Sequence, residues 1–427
     1  MYNSSTHSSL AFLTTQFDGT GGTIKTREED FFVEELPLYK PCGEGTHIYA
    51  LIEKKGIATM EALARIARVL DISRRDIGFA GLKDARAVTR QWISVEHLAP
   101  EQLLSLDTPN IKFIQIARHT NKIKLGHLAG NRFVIRLRKV NLPPRQAVEA
   151  AENIMSVLVR RGVPNYFGVQ RFGHRSDTHL LGEAVSKGKI DEFVDLFLGR
   201  PEKEDSPTFA AARASYDKGN YKKAYDTWPY PFADQRRALK TLITSKSSKG
   251  KAYKVIDKHL KSFFVSAYQS DLFNQVLAAR MPDIDKLFVG DMAYKHINGA
   301  CFRVEDAILE QPRCDAFEIS PTGPLPGFRM TKLTGPAGNV ENPVLNRAGF
   351  KNRDLRQMNQ YGARGARRAL RFQPHHPQVT AGEDKFGPYM ELQFELDSGC
   401  YATSLIREIC KTDKSTPRAI PAGPETD

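Results

Sequence analysis

The sequence predicts an α+β protein with more than one domain, and three observations carry that expectation. At 427 residues the chain exceeds what one hydrophobic core usually organises, so two or three domains are expected. Helical periodicity is strong at 58–70, 145–161 and 263–280, where apolar residues recur every three to four positions. Short segments with two-residue alternation run between and beyond these helices, most clearly at Phe133 to Leu137 and Leu392 to Leu396.

Composition narrows the partners. The chain carries 62 Lys and Arg against 49 Asp and Glu, a net charge of +13, with a pI near 9.4. That balance favours polyanions, with nucleic acid ahead of an anionic membrane. No apolar run approaches a membrane-spanning length. Met1 to Leu13 lacks a basic region followed by an apolar core, so a secretory signal is not expected. The five cysteines (Cys42, Cys301, Cys314, Cys400 and Cys410) are odd in number and never two residues apart. This argues against a full disulfide framework and for a reducing cytoplasm. With no zinc-type spacing and no glycine-rich phosphate loop after a strand, neither a metal nor a nucleotide cofactor is expected.

In chain order, Phe31-Phe32-Val33 reads as one short strand edge with Phe31 a core anchor, and His47 to Ile52 as a strand. Met60, Leu63, Ile66, Ala67 and Leu70 form the buried stripe of the first helix. Gly78 to Val95 is the stretch with the most chemical content. Gly78 and Gly81 allow backbone angles closed to other residues, Lys83 and Asp84 sit side by side, and Trp92-Ile93-Ser94-Val95 is a buried strand behind them. Alone, Asp84 reads as a solvated turn residue or helix cap; between Lys83 and Arg86 it could also act as a nucleophile or base. Arg118 to His127 is basic and polar, either a solvated face or a phosphate-tracking segment. Strand alternation then places Asn131, Phe133, Ile135 and Leu137 on one face. Arg160 and Arg161 suit the C-terminus of the second helix, Gly162 its cap, and Pro164 stops it, which marks a domain boundary.

Beyond that boundary, Asn165 to Arg175 interleaves aromatics with Arg171 and Arg175, a mix suited to RNA or to a domain hinge. Residues 176–260 read mainly as helices, 244–251 as a mobile Ser- and Lys-rich loop, and 288–345 as short strands and turns. Arg364 to Arg371 concentrates four arginines, Arg364, Arg367 and Arg368 among them, and reads as a solvated run or, in a chain this basic, as a phosphate contact.

Seven motifs in order are similar to those of the TruD family of RNA pseudouridine synthases, from Ile24 to about Glu408. They are Lys25 with Glu29-Asp30-Phe31, Gly-Leu-Lys-Asp-Ala-Arg-Ala-Val-Thr-Arg-Gln at 81–91, Gly-Asn-Arg-Phe at 130–133, and Asn-Tyr-Phe-Gly-Val-Gln-Arg-Phe-Gly at 165–173. Tyr-Gln-Ser-Asp-Leu-Phe-Asn at 268–274, Pro-Thr-Gly-Pro at 321–324 and Tyr-Ala-Thr-Ser-Leu-Ile-Arg-Glu at 401–408 complete the series. The resemblance implies isomerisation of uridine to pseudouridine in transfer RNA, at uridine 13, without cofactor or metal. It places the essential aspartate on Asp84 and the uridine-pocket residues on Phe31, Asn131, Phe133 and Tyr401; the family more often has Phe at the last position. Lys25 or Arg407 is the expected charge partner of Asp84, and Lys83 and Arg86 join Arg171, Arg175 and the arginine cluster as RNA-binding candidates.

The implied architecture is a pseudouridine synthase catalytic domain, a mixed and largely antiparallel sheet flanked by helices, with a large α/β TruD-type domain inserted. Its expected parts are residues 1–163 and 371–411 for the catalytic domain and 164–370 for the insertion, with RNA in the cleft between and a disordered tail at 412–427. A monomer is expected. Two other functions compete: an RNA-binding protein or RNA chaperone that has lost catalysis, which would not need Asp84, Asn131 and Phe133 together, and another base-modifying enzyme such as a methyltransferase, which the missing nucleotide loop disfavours.

Overall fold

The computed structural model describes residues 10–104 and 108–412. Most of the expected tail lies outside these residues. The described chain separates into two compact units, one formed by Thr14–Val163 and residues 372–412, the other by Pro164–Arg371 with residues 10–13.

The first unit is built on a nine-stranded sheet. Its main order is His375–Asp384, Gly387–Asp397, Leu128–Val140, Phe31–Pro37, Val88–Glu96, His47–Lys55 and Ile111–His119; Gly21–Thr23 and Gly78–Phe79 pair at its sides. All pairings are antiparallel except Phe31–Pro37 with Val88–Glu96. The segment read as one strand edge is therefore a seven-residue strand in the sheet interior. Glu34 and Glu35 disguise it, because consecutive strand residues face opposite ways and each carboxylate has its own partner.

Register sorts the side chains onto two faces. Val33 lies opposite Phe133 and Thr89, Glu35 opposite Asn131, and Lys54 opposite Thr89. One face thus carries Phe31, Phe133 and Phe394 with the buried polar groups Glu35, Thr89, Gln91 and Lys54. The other face carries a ladder of charges: Arg90 pairs with Glu53 at 2.9 Å and Glu34 at 3.8 Å, and Arg132 with Glu34 at 3.6 Å. Opposite charges across neighbouring strands stabilise this part of the face, while Tyr49 and Trp92 further along it are buried with Ala80 and Ile123.

The helix Thr59–Leu70 buries Ala62, Leu63, Ile66 and Ala67 against Ile48, Ala50, Ile52 and Ile93. The helix Pro144–Arg161 starts on a proline and ends at Gly162, whose φ of 91° suits glycine. It packs on the last two sheet strands and on the helix Ala402–Cys410.

The second unit has a helical half and a sheet half. Phe193, Trp228, Leu239 and Phe264 lie in one core formed by successive helices up to Lys258–Arg280. A Cβ on Gly182 would lie 1.9 Å from the Phe264 carbonyl oxygen, so glycine is what lets its helix approach so closely. The expected mobile loop at 244–251 is instead a helix boundary: the Ser248 Oγ accepts from Lys251 N and caps the helix Lys249–Lys254. The sheet half runs Cys301–Arg303, Met292–Lys295, Ile319–Leu325, Ala366–Ala369, all antiparallel. Two helices, Ala307–Asp315 and Gly335–Ala348, occupy a region read as strands and turns. Pro312 and Pro343 inside them contradict ordinary helix propensity, which hid them in the sequence.

One buried charge cluster ties distant parts of the first unit. Arg138 donates to Asp30 at 2.7 and 2.8 Å and to Asp384 at 2.7 and 3.0 Å. Arg138 holds the Asp384 carboxyl down to about 2. Removing one partner of a buried pair leaves an uncompensated charge, so Asp30→Ala is expected to lower stability by about 3 kcal/mol in urea denaturation at neutral pH. Because the Asp384 carboxyl is depressed, its contribution is complete above the ordinary carboxylate range of about 4 and fades as pH falls through about 2. Asp384→Asn should therefore destabilise at neutral pH and lose that effect in strong acid.

Candidate active site

Asp84 projects from the loop between the strands Gly78–Phe79 and Val88–Glu96. Buried polar groups hold this loop from beneath. Lys83 N donates to Thr59 Oγ1 at 2.9 Å, and that hydroxyl donates to Gln91 Oε1 at 2.9 Å. Gln91 Nε2 reaches Gly81 O at 3.4 Å, and Lys54 Nζ donates to Asp84 O at 2.9 Å. Gly78 is needed for room: a Cβ there would lie 2.4 Å from both Ile123 O and Ser94 Oγ. Gly81 has neither a positive φ nor a crowded Cβ, so the special backbone freedom expected of it is not used.

The Asp84 carboxylate meets Lys25 Nζ at 2.8 Å, with the lysine side chain 11% exposed and the aspartate 45%. Of the two expected charge partners, Lys25 makes this contact, whereas Arg407 lies partly buried on the helix Ala402–Cys410. Lys25 sits at φ 54°, the left-handed region, which costs energy for a residue with a side chain. That conformation accompanies a double engagement, since the same ammonium lies 4.3 Å from the centre of the Phe31 ring. Phe31 meets Phe133 edge-on at 6.5 Å, and Phe133 stacks on Phe394 at 5.4 Å. Asp84, Lys25, Phe31 and Phe133 are thus linked through consecutive contacts, though 25 and 133 are far apart in the chain.

Phe31 and Phe133 are buried, and Tyr401 is 43% exposed at the start of its helix. The two phenylalanines form an apolar floor, while the tyrosine ring is accessible. Asn131 stands in register with Glu35, and its Oδ1 is buried without a hydrogen-bond partner among the described residues. A buried unpaired acceptor costs free energy and is uncommon, which makes this amide a candidate for an absent ligand.

Several cations expected at an RNA surface are engaged inside the protein. Lys83 turns beneath the loop to Glu35 at 2.9 Å, both side chains being almost fully buried. Burial pushes the Glu35 carboxyl up, against the pull of Lys83. Arg175 is enclosed by Asp177, Glu202 and Asp205. Arg367 pairs with buried Glu341 at 2.8 Å, and Arg368 lies 4.5 Å from the Phe167 ring centre and bonds Asn165 Oδ1 at 2.5 Å. Arg171 bonds Ser270 Oγ at 3.3 Å and also Ser266 Oγ. Arg86 and Arg364 are exposed. For Lys83, Arg175 and Arg367 the correction has one physical reason: a charge removed from water needs a counter-charge, and each has an internal one.

A family model described as tRNA pseudouridine synthase D (TruD) matches residues 9–409. The chain belongs to the TruD family. The tRNA pseudouridine synthase D of Geobacter metallireducens is 43% identical over 400 residues, covering 94% of this chain and 97% of the relative. That of Thermus thermophilus is 35% identical over 406 residues, covering 94% and 92%. A crystal structure of a candidate TruD protein from Methanosarcina mazei superposes with a TM-score of 0.84 at 27% identity, over 94% of this chain and 96% of that one. The TruD fold, α+β with a largely antiparallel sheet, is the one described above.

Sequence reasoning missed Lys54, Thr59, Gln91 and Glu35 as parts of this site. The signal for Lys54 was present: strand alternation puts it in phase with the apolar Ala50 and Ile52, so a lysine was due on a buried face.

The floor and the loop surface should respond differently to truncation. Phe133→Ala is expected to cost about 3–5 kcal/mol of stability in chemical denaturation. Leu82, 66% exposed on the loop, should tolerate Ala within about 0.5 kcal/mol.

Proposed function

We propose that this protein is a cytoplasmic enzyme that isomerises uridine to pseudouridine in transfer RNA, at uridine 13, with Asp84 as the reactive carboxylate. The observation that carries the reading is the half-exposed Asp84 carboxylate, held 2.8 Å from Lys25 on a loop fixed from below. A carboxylate held in this way can act as nucleophile or base.

The reaction breaks the bond between ribose C1′ and uracil N1, turns the base, and joins C1′ to C5. A proton leaves C5 and one is gained at N1, so atoms balance and no external oxidant or reductant is consumed. The chemistry calls for no cofactor. Asp84 starts it, by attack or by proton abstraction, and Lys25 holds the carboxylate in place.

A paired base must leave its stack before the glycosidic bond is reachable. Tyr401 offers an accessible ring on which the extruded uracil stacks, and the Phe31–Phe133 floor excludes water beneath it. The Asn131 amide, whose buried oxygen has no hydrogen-bond partner among the described residues, pairs with the polar edge of the uracil.

Transfer RNA tritiated at C5 of its uridines tests this. The protein is expected to release tritium, Asp84→Ala to release none while still binding, and a transcript with cytidine at position 13 to release none. No release by the parent protein on any transfer RNA pool would refute the enzymatic reading. Lys25→Met removes a charge-assisted hydrogen bond worth about 1.5–3 kcal/mol, so turnover should fall on the order of 10- to 100-fold. RNA affinity should decline steeply with added salt, as counterion release requires.

A further inference from the structure

Lys54 is the most deeply buried lysine near the site, with no exposed surface. Its ammonium donates to Ile57 O at 2.7 Å, Asp84 O at 2.9 Å and Lys83 O at 3.4 Å. No carboxylate is in ion-pair contact with it among the described residues, so its three donors are spent on three carbonyls. Burying an ammonium without a paired anion is costly, and an apolar side chain of similar length would fill the space without that penalty. Thr59 and Gln91 hold the Lys83 amide and the Gly81 carbonyl, but Lys54 is the anchor on the Asp84 peptide itself.

We propose that Lys54 is a positioning residue, whose buried ammonium fixes the Asp84 peptide so that the carboxylate meets Lys25 and the substrate in one geometry. This rests on the reading of Asp84 as the reactive carboxylate. Lys54 touches no reacting atom; it acts through the main chain that carries Asp84.

The same geometry makes the anchor sensitive to pH. Burial lowers the Lys54 ammonium to about 8, with Asp84 pulling it up and Lys83 pushing it down. These are the charged groups that face it; Asp84 is itself paired with Lys25 and Lys83 with Glu35. The neighbours across the flanking strands, Thr89 and Ile111, are uncharged. Above about 8 a neutral amine has two donors for three carbonyls, and the loop loses an anchor. Global stability moves the other way. In the unfolded chain Lys54 keeps its proton up to about 10.4, so above 8 the unfolded state holds more protons and unfolding becomes harder as pH rises. A merely structural lysine would not separate activity from stability in this way.

The test uses the full-length protein and C5-tritiated transfer RNA, with Lys54→Met, Lys54→Arg and Asp84→Ala compared across neutral to alkaline pH. Lys54→Met is expected to retain its melting temperature and transfer RNA affinity, lose about 10- to 100-fold in kcat with little change in KM, and lose the alkaline limb near 8. Lys54→Arg should retain part of the turnover and shift that limb to higher pH. Wild-type turnover in Lys54→Met, or a limb near 8 that neither substitution moves, would overturn the proposal while leaving an inactive Asp84→Ala to support the catalytic reading. Turnover by Asp84→Ala would instead overturn that reading and the role of Lys54 with it. Should Lys54→Met fail to fold, the parent protein decides by hydrogen exchange. Protection of the Lys83 amide, corrected for intrinsic rate, should fall as pH passes 8 while the strand Val88–Glu96 stays protected; equal protection throughout would overturn the proposal.

Discussion

Everything at the candidate site depends on fixing an irregular loop against the buried face of a sheet. Main-chain groups in such a loop have no ladder to join, and each buried one left unpaired would cost free energy. Here side chains take the place of the ladder: Lys54, Thr59 and Gln91 satisfy groups of Gly81, Lys83 and Asp84. The result is a carboxylate that is exposed to solvent at its tip and immobile at its root. Catalytic geometry asks for that combination, because a carboxylate free to swing would reach the productive position only part of the time.

The sheet makes this possible through the alternation of its two faces. Glu34 and Glu35 are adjacent and chemically identical, yet one joins a solvent-facing ladder with Arg90 and Arg132 while the other is buried against Lys83. The parallel pairing of Phe31–Pro37 with Val88–Glu96 brings Val33 beside Thr89, in a sheet otherwise antiparallel. It thereby joins the Lys25–Phe31 segment to the strand that follows the Asp84 loop. Lys25 reaches Asp84 and the Phe31 ring from there at the cost of a left-handed backbone. Strain of this kind persists only where surrounding contacts over-determine it, and the ion pair and the ring contact are two such contacts.

Much of this was legible in the sequence. The helices at 59–70 and 144–161 declared themselves by apolar spacing and, for the second, by a proline start and a glycine end. Phe133, Ile135 and Leu137 fell on one strand face as alternation required. What stayed hidden has identifiable causes. The strand at 31–37 was masked by two acids whose partners come from other strands, and the helices around Pro312 and Pro343 were masked by residues that locally oppose helix. The identity of the Asp84 partner could not be read from adjacency, because Lys83 beside it points to Glu35 and Lys25 arrives from 59 residues away. Neighbours in a loop need not share a direction.

The same reasoning bears on how a basic chain meets RNA. A net charge of +13 describes the whole molecule, but it does not say which cations face outward. In the cluster from Arg364 to Arg371, Arg367 is held by Glu341 and Thr322, and Arg371, fully buried, donates to Ser320 Oγ and the Cys314 carbonyl. Their charge is largely consumed by internal acceptors before any phosphate arrives. Arg367 and Arg368 are consecutive on the strand Ala366–Ala369 and point to opposite faces, yet both are engaged internally, one by Glu341 and the other by Asn165. Counterion release is driven by charges that can approach the phosphate, so a cation's place in the fold counts for more than its place in a run of cations along the sequence.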